Sequence, residues 1–451
     1  NRDYRRADNM YGKVLDYSWP SSDYATFQRA MIVGVNNSRE KIALLSSISR
    51  KYPGSGLIPD ANMEIASAYL ANEQYQESIP YLKNVVGDPN NSLKPKAHLR
   101  LGIAYFNLNN NKEALNQYSL LLKQYPNSPE AESALENAQA IYVNEGRSAE
   151  YVNFARSMGK EISSSQEDDL AYREAEVQFS NGNFAAAVKK FEDYLSKFPE
   201  GKYSLEALYY KSEIYYNQKA WEKAVEGYEA LAERVPHRFG EKSLLQAARI
   251  NFFDLKRYDR AEIYFARLKD FAATQETKLE AMRGLLRSQY QLEKWTEAVA
   301  NAKELLAEKS AGTDDKILAN MAIAKSHQSN NQCDQAITSF RTAASLSKAA
   351  YGAEARYEIA HCLFIQDRYK DAEKAAFEVI NKSGSYEFWV IRSYILLGDL
   401  YHKQKDYFNA KATYRSVIDN ARIEELRQEA ELKLKQTTEE ESRQSKLEEG
   451  N

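Results

Sequence analysis

The strongest pattern along this chain is a pair of apolar stripes, each with the three- and four-residue spacing of a helix that buries one face. In the clearest copy, the first stripe covers Leu99–Leu108, a polar turn follows at 109–112, and the second stripe covers Ala114–Tyr125. Pro126 then ends the second helix, because proline has no backbone N–H to continue the hydrogen-bond ladder. The pattern therefore predicts two antiparallel helices joined by a short turn.

The helix pair recurs at a nearly constant interval. A small residue, usually alanine, marks the start of each second helix, at Ser78, Ala114, Ala187, Ala224, Ala261, Ala298, Ala336, Ala372 and Ala410. The intervals are 36 to 38 residues, except for one of 73 that spans two periods and holds a worn copy around Tyr151. Two degenerate copies, with marking residues at positions 7 and 41, bring the number of units to twelve. Because no copy can bury its apolar face alone, the repeat predicts an all-α solenoid.

The marking residue is small for a packing reason. A small side chain lets the second helix approach the first closely, and an aromatic residue four positions later is expected to fill the wedge beside the next unit. These aromatic residues are Tyr118, Phe191, Tyr228, Phe265, Phe340 and Tyr414.

Two copies resemble the tetratricopeptide repeat family closely. The residues that carry the resemblance are Leu101, Gly102, Tyr105, Ala114, Tyr118 and Pro126, and then Leu397, Gly398, Tyr401, Tyr407, Ala410 and Tyr414. The resemblance implies a right-handed superhelical solenoid of about twelve helix-turn-helix repeats. It also implies a non-enzymatic scaffold that binds protein or peptide segments in a concave groove lined by the first helices.

The degenerate repeats and the polar segments predict where the chain divides into regions. We expect units 1–5 in residues 1–156, with the first unit truncated, a possible bend at 157–169, and units 6–12 in residues 170–420. A capping helix is expected at 421–436, because apolar side chains line one face of an otherwise charged segment. Residues 437–451 are polar apart from Leu447 and Gly450, so we expect a frayed tail there.

The resemblance also indicates candidate groove residues, at positions 5, 9 and 12 of the first helix. They are Tyr172, Glu176, Phe179, Tyr209, Glu213, Tyr216, Gln246, Phe253, Tyr357, His361, Phe364, Asp399 and His402. One interpretation is a ladder of aromatic anchors and carboxylates for a partner segment with apolar and basic residues. The alternative is that these aromatic residues pack against the neighbouring first helix.

Residues suited to catalysis or metal binding are sparse. Cys333 and Cys362 lie 29 residues apart and the five histidines form no i, i+4 ligand pair, so we expect no metal and no cofactor. The two cysteines are interpreted as separate thiols, with a disulfide between adjacent units as the alternative. Glu176 and Glu213 leave a remote glycoside hydrolase hypothesis open, which would require one carboxyl group to be desolvated.

The net charge and the hydropathy of the chain restrict the classes of partner that it can have. A net charge of −3 and a pI near 6.1 provide no basic footprint for nucleic acid. No apolar run approaches the roughly 18 to 20 residues that a membrane-spanning helix requires, so we expect no direct membrane insertion. The pattern leaves the oligomeric state open.

The junctions between units suggest a compartment. Residues 50–55, 123–129 and 197–201 share a basic residue, an aromatic residue and a proline. They resemble the unit junctions of bacterial envelope scaffolds of the outer-membrane assembly lipoprotein and Tol-Pal-associated types, which implies a periplasmic or cell-envelope protein. The alternative is a cytoplasmic adaptor or co-chaperone. A co-chaperone clamp would need Lys and Asn at the inner positions, where this chain has Tyr209 and Glu213.

Overall fold

A computed structural model describes residues 3–89 and 91–449, and within these ranges it contains twenty-four α-helices and no strand. In chain order the helices are α1 (Tyr4–Asp16), α2 (Ser22–Val33), α3 (Ser38–Lys51), α4 (Ile58–Ala71), α5 (Tyr75–Gly87), α6 (Lys94–Asn107), α7 (Asn111–Gln124), α8 (Glu130–Asn144), α9 (Ser148–Ser157), α10 (Ser164–Ser180), α11 (Phe184–Lys197), α12 (Ser204–Asn217), α13 (Trp221–Ala232), α14 (Gly240–Arg249), α15 (Tyr258–Phe271), α16 (Gln275–Gln291), α17 (Trp295–Ala307), α18 (Thr313–Ser329), α19 (Cys333–Leu346), α20 (Ala350–Ile365), α21 (Tyr369–Lys382), α22 (Glu387–Lys403), α23 (Tyr407–Asn420) and α24 (Glu424–Glu449). A π-helical segment, Ile250–Asp254, continues α14.

The helices pair as the repeat predicts. Every marking residue, including those at positions 7, 41 and 151, is the fourth residue of an odd-numbered helix. Ser78 and the eight marking alanines are completely buried. We call the even-numbered helices α2 to α22 the A helices and the odd-numbered helices α1 to α23 the B helices. The prediction of an all-α, helical-repeat solenoid is confirmed.

Close packing explains the alternation of small and large residues. A Cβ atom added at Gly102, Gly284 or Gly398 on an A helix would clash with the ring of an aromatic residue on the following or preceding B helix. The rings are those of Tyr118, Phe265 and Tyr414, each four positions after a marking alanine. A larger side chain at these glycines would force the helices apart.

The turns between A and B helices share a backbone feature that the sequence conceals. The residue five positions before the mark adopts a positive φ in ten turns, at Glu73, Asn109, Gly146, Gly182, Lys219, Lys256, Glu293, Asn331, Asp367 and Lys405. A left-handed residue ends an α-helix and reverses the chain. Glycine favours this conformation, yet only two of the ten are glycine, so glycine positions alone could not locate these turns.

Contacts within the chain divide it into two compact units, the first ending at Ala207 and the second beginning at Leu208, within α12. In both units consecutive helices pack together, and close contacts also join helices two apart. These additional contacts connect α6, α8 and α10 in the first unit, and α14, α16, α18, α20, α22 and α24 in the second. The A helices α6 to α10 of the first unit, and α14 to α22 of the second, therefore form layers of their own.

The segment where a bend is expected has a defined local structure. Helix α9 ends at Ser157 and α10 begins at Ser164. Ser163 caps α10, because its hydroxyl accepts from the backbone N–H of Gln166 while the Gln166 side chain accepts from the backbone N–H of Ser163. A bend within 157–169 stays a prediction.

The C-terminal segment differs from expectation. Helix α24 continues to Glu449, whereas a frayed tail was expected from residue 437; residues 450 and 451 lie outside the described part. Specific contacts hold the added turns. Thr437 is buried and bonds His402 Nδ1 at 2.9 Å, and Lys411 pairs with Glu441. Polar side chains of this segment make packing contacts through hydrogen bonds and ion pairs, and hydropathy alone does not reveal such packing.

Candidate protein-binding surface

The aromatic residues at position 5 pack against their own chain. Tyr172 stacks on Tyr203, and Tyr209 stacks on Phe239, with ring centroids 4.3 Å apart and planes 12° apart in both cases. Tyr172 is 6% exposed and Tyr209 is 8% exposed. Each partner ring belongs to the residue that directly precedes the next A helix. These contacts favour the packing interpretation for position 5.

Basic side chains extend the two stacks. Lys202 lies over the Tyr203 ring at 4.8 Å, and Arg238 lies over the Phe239 ring at 4.5 Å. A cation over an aromatic face is attracted by the ring quadrupole. The sequence carried a signal for this arrangement, since a basic–aromatic pair precedes both α12 and α14.

Position 5 varies in the other units. Tyr357 is 5% exposed and packs between Trp389 at 5.4 Å and the His361 ring at 6.0 Å. Gln246 occupies the same position in α14, and its buried Oε1 atom has no hydrogen-bond partner among the described residues. A buried amide oxygen without a donor costs free energy.

The carboxylates at position 9 are held in two of three units. Glu213 accepts hydrogen bonds from the Tyr228 hydroxyl and from Lys242 Nζ, the latter at 3.0 Å. The same arrangement recurs at Asp399, which accepts from Tyr414 at 2.6 Å and from Lys433 at 2.8 Å. Burial raises the pKa of the Tyr228 hydroxyl, and the Glu213 carboxylate raises it further.

Glu176 is different. It is exposed, and its carboxylate makes no hydrogen bond or ion pair among the described residues. The residue corresponding to Tyr228 is Phe191, which has no hydroxyl, and the residue corresponding to Lys242 is Leu205. Glu176 therefore remains available to a ligand.

In α18 the charge at this position is reversed, which sequence reasoning missed. Lys325 lies fifteen residues before Phe340, as Glu213 lies before Tyr228. Its Nζ pairs with Glu358 at 2.7 Å and with Glu354 at 3.2 Å, both on the next A helix, α20. Tyr290 donates to Glu354 at 2.8 Å. A lysine in one A helix with glutamates about 30 residues later was the available signal.

Burial and pairing act in opposite directions on Glu358. Burial alone would raise the pKa of this carboxyl group. The His361 imidazole, 3.5 Å away, the Lys325 ammonium and a hydrogen bond from Gln328 outweigh burial and lower the pKa to about 2. His361, predicted as a groove residue, therefore contributes to an internal polar network.

The ring at position 12 usually packs on the first residue of the following B helix, five positions later. This holds for Phe179 and Phe184, Tyr216 and Trp221, Phe364 and Tyr369, and His402 and Tyr407, with centroid distances of 6.0, 5.5, 6.2 and 5.8 Å respectively. The contact closes the open end of each helix pair.

In α14 the π-helical segment changes this contact. Leu255 donates its N–H to the Ile250 carbonyl, which widens the last turn. Phe252 packs on Tyr258 at 5.2 Å in place of the expected Phe253. Phe253 is left 51% exposed. The periodicity alone cannot show this exchange, because Phe253 keeps its interval of 37 from Tyr216.

Phe253 lies beside an open groove along α16, with a volume of about 510 Å³. We call it the α16 groove; it is lined by Phe252, Phe253, Phe265, Glu276, Glu280, Arg283, Gly284, Arg287 and residues 312–315. Arg283 pairs with Asp315 at 2.8 Å, and Arg249 beside the groove pairs with Glu280 at 2.6 Å. The side chains of Glu276, Arg287 and Asp314 have no hydrogen bond or ion pair within the described residues.

The structure bears on the remaining chemical hypotheses. Glu176 is exposed and Glu213 is paired with a lysine, so neither is the desolvated acid that a glycoside hydrolase would need.

Cys333 and Cys362 are free, buried thiols, and burial raises the pKa of Cys362. No group of three potential metal ligands occurs in the part of the chain that the structure describes. Among the same residues, no helix combines the length and apolar character that a membrane crossing requires.

Comparison with solved structures finds many similar chains. Naa15/Naa10 bound to HypK-THB matches with a TM-score of 0.40 and 12% identity, over 91% of this chain and 65% of that chain. Yeast Tom70 matches with a TM-score of 0.34 and 14% identity, over 94% and 96%. The P58(IPK) TPR domain matches with a TM-score of 0.28 and 13% identity, over 97% and 99%. A comparison with curated proteins finds no match.

Models of the tetratricopeptide repeat match four segments. They cover residues 69–138, 172–238, 321–386 and 391–423, which together make up just over half of the chain. Most of the marking residues that define the helix pairs, from Ser78 to Ala410, lie in the matched segments. The chain belongs to the tetratricopeptide repeat family, a family of protein-interaction scaffolds.

Proposed function

We propose that this chain binds a segment of a partner protein, without catalysis, in the α16 groove of its A-helix layer. The single observation that carries the proposal is Phe253, which the π-helical segment turns away from its usual packing partner. An aromatic side chain that is 51% exposed beside an open groove is a suitable anchor for a protein ligand.

The charges of the groove define the chemistry of the partner. Glu276 and Asp314 are carboxylates without a hydrogen bond or ion pair among the described residues, and Arg287 is a cation of the same kind, although Asp315 interacts with it electrostatically. A segment with an apolar residue for Phe253 and basic residues for the carboxylates fits best. In the first unit, the exposed Glu176 is a further carboxylate suited to a basic residue.

Site-specific photocrosslinking tests the location. We would incorporate p-benzoylphenylalanine at position 253 and, as a control, at position 263 on the B helix α15. The control is matched, because Phe253 is 51% exposed and Ile263 is 50% exposed. Position 253 should crosslink to a discrete protein partner in cells, and position 263 should not.

A substitution completes the test. Phe253→Ala should weaken the crosslinked partner's binding by about 2 kcal/mol if the ring is a central anchor, while Ile263→Ala should leave binding unchanged. Because Phe253 is exposed, thermal melting should change little. Crosslinking from position 263 alone would place the binding surface on the B helices and contradict the proposal.

For the compartment we propose the bacterial periplasm or cell envelope, as part of an envelope assembly. The support is the resemblance of the junctions at 50–55, 123–129 and 197–201 to those of envelope scaffolds. Fractionation of cells that express the full reading frame tests this proposal. Recovery in the envelope fractions supports it, and recovery with cytoplasmic markers favours the adaptor or co-chaperone alternative.

A further inference from the structure

The B helices α19 and α21 border a second groove, on a different layer from the α16 groove. We call it the α19–α21 groove, and its volume is about 580 Å³. Its floor is apolar and includes Ile359 and Leu363 of α20. Five of the residues that line it are basic, namely Arg341, Arg356, Arg368, Lys374 and Lys382.

Two acidic residues offset part of this charge. Asp371 pairs with Arg368 at 2.8 Å, and Glu378 pairs with Lys382 at 2.6 Å. Arg341 and Lys374 are exposed, and their side chains have no hydrogen bond or ion pair within the part of the chain that is described. The groove therefore keeps an excess of three positive charges, in a chain whose net charge is −3.

Arg356 supplies the third uncompensated charge. Its Nη2 atom donates to the Ala344 carbonyl at 2.9 Å and to the Ser347 carbonyl at 3.1 Å, which fixes the guanidinium at the end of α19. Its Nη1 atom is buried and has no hydrogen-bond partner among the described residues. A carboxylate bound in the groove would give such a donor its missing acceptor.

Another groove between B helices shows that this charge excess is not a general property of the repeat. Between α13 and α15, Arg257 pairs with Glu222 at 2.7 Å and Arg260 pairs with Glu229. That groove has four glutamates and three basic residues, so its cations are balanced within the chain. In the described residues, nothing comparable neutralises Arg341 and Lys374.

From these observations we propose that the α19–α21 groove binds an acidic segment of a partner protein. Carboxylates of the segment pair with Arg341, Lys374 and Arg356, and an apolar side chain rests on Ile359 and Leu363. The apolar floor favours a peptide over a free anion. The small footprint and the negative charge of the whole chain disfavour nucleic acid. This site is independent of the function proposed for the α16 groove.

The test uses the full chain and a fluorescein-labelled twelve-residue peptide of glutamate and leucine. Fluorescence anisotropy should show binding at least tenfold tighter than for a peptide with glutamine in place of glutamate, and tighter than for a twelve-nucleotide single strand. Binding should weaken between 50 and 300 mM salt, because exposed ion pairs are screened.

Charge reversal assigns the site. R341E/K374E should weaken binding at least tenfold. The control K303E/R415E makes the same change in charge at two exposed B-helix residues outside the groove that are unpaired among the described residues, and it should change binding less than twofold. Circular dichroism melts establish that both variants are folded. Equal weakening by both pairs, tighter binding of the oligonucleotide, or no peptide binding would each overturn the proposal.

Discussion

Helix pairs α10–α11 and α12–α13 both have a glutamate at the same position of the repeat, but the contacts of its carboxylate differ between the two. Glu213 accepts from Tyr228 and Lys242, whereas the carboxylate of Glu176 is exposed without a partner in the described residues. The difference arises from two other positions, where Tyr228 and Lys242 are replaced by Phe191 and Leu205. The side chains on the following B helix and on the next A helix therefore determine whether such a carboxylate already has a partner within the chain.

The comparison extends to a third form. In α18 the corresponding residue is Lys325, and the glutamates lie on α20. Glu213, Asp399 and Lys325 join neighbouring helix pairs by ion pairs, and Glu176 does not. Substitution of a residue that forms such an ion pair should lower the stability of the fold. Substitution of an exposed residue without an ion pair should affect only ligand binding.

The largest effect is expected at Lys325. Lys325→Met leaves Glu354 and Glu358 without their shared cation in a mostly buried setting, which should cost about 3 to 5 kcal/mol. Lys303→Met, at an exposed residue that is unpaired in the described structure, should cost less than about 0.5 kcal/mol. Urea unfolding measures both. The double variant K325M/E358M should recover most of the loss, and equal losses for the single and double variants would refute the ion-pair explanation.

Tyr209 should come next. Tyr209→Ala removes a ring that is 8% exposed and stacked on Phe239, so it should cost about 3 kcal/mol. Phe408→Ala provides the control, because Phe408 is 78% exposed on α23 and should change stability by less than about 0.5 kcal/mol. Unchanged melting of the Tyr209 variant would contradict the packing interpretation of this ring.

Acid should reveal the pairing of Glu358. Its pKa falls from the ordinary 4.5 to about 2 on folding, so the charged form stabilises the fold above pH 4.5. That contribution, roughly 3 kcal/mol, should disappear as the pH falls from about 4.5 through about 2. Chemical unfolding of wild type and Glu358→Gln at several pH values measures it. The two proteins should converge in stability at low pH, and a constant difference would contradict the pairing.

Glu213 and Glu176 provide the most direct contrast. Glu213→Ala leaves the buried Tyr228 hydroxyl without its acceptor and should cost about 2 kcal/mol. Glu176→Ala should change stability by less than about 0.5 kcal/mol. Thermal melting of the two variants side by side checks this expectation. Similar losses would mean that the two carboxylates are equivalent.

Much of the fold was predictable from one chain, because the periodicity reports where helices cross. The marking alanines, such as Ala224 and Ala410, are completely buried at those crossings. The left-handed turn residues, such as Lys219, were not predictable by type, since the helix reversal fixes their conformation regardless of side chain. The polar contacts of Thr437 and Glu441 on α24 were missed, because hydropathy does not register them.

The candidate site was less predictable. The register placed Tyr209 and Glu213 on the A layer but could not show that Phe239 and Lys242, from the next unit, already contact them. Phe253 shows the opposite failure. Its spacing equals that of Tyr216, and only the π-helical hydrogen bond, which involves no change in spacing, separates their environments.

The smallest expected effect comes from a variant that tests whether two substitutions are enough to give Glu176 the hydrogen bond and the ion pair that Glu213 makes. Phe191→Tyr with Leu205→Lys transplants the partners of Glu213 to Glu176. A hydroxyl and an ammonium that both reach a part-exposed carboxylate should contribute up to about 1 kcal/mol. That gain should differ from the sum of the two single changes, because both new groups interact with the same carboxylate.

Glu176→Gln provides the control background for this transplant. Without the carboxylate charge, the coupling between the introduced hydroxyl and the introduced ammonium should fall towards zero, as measured by urea unfolding in a double-mutant cycle. Any partner segment that uses a basic residue at Glu176 should also bind the transplanted variant more weakly, since the introduced ammonium now occupies its site. Coupling that persists in the glutamine background would show that the two introduced groups interact with each other, and that the carboxylate is not what they hold.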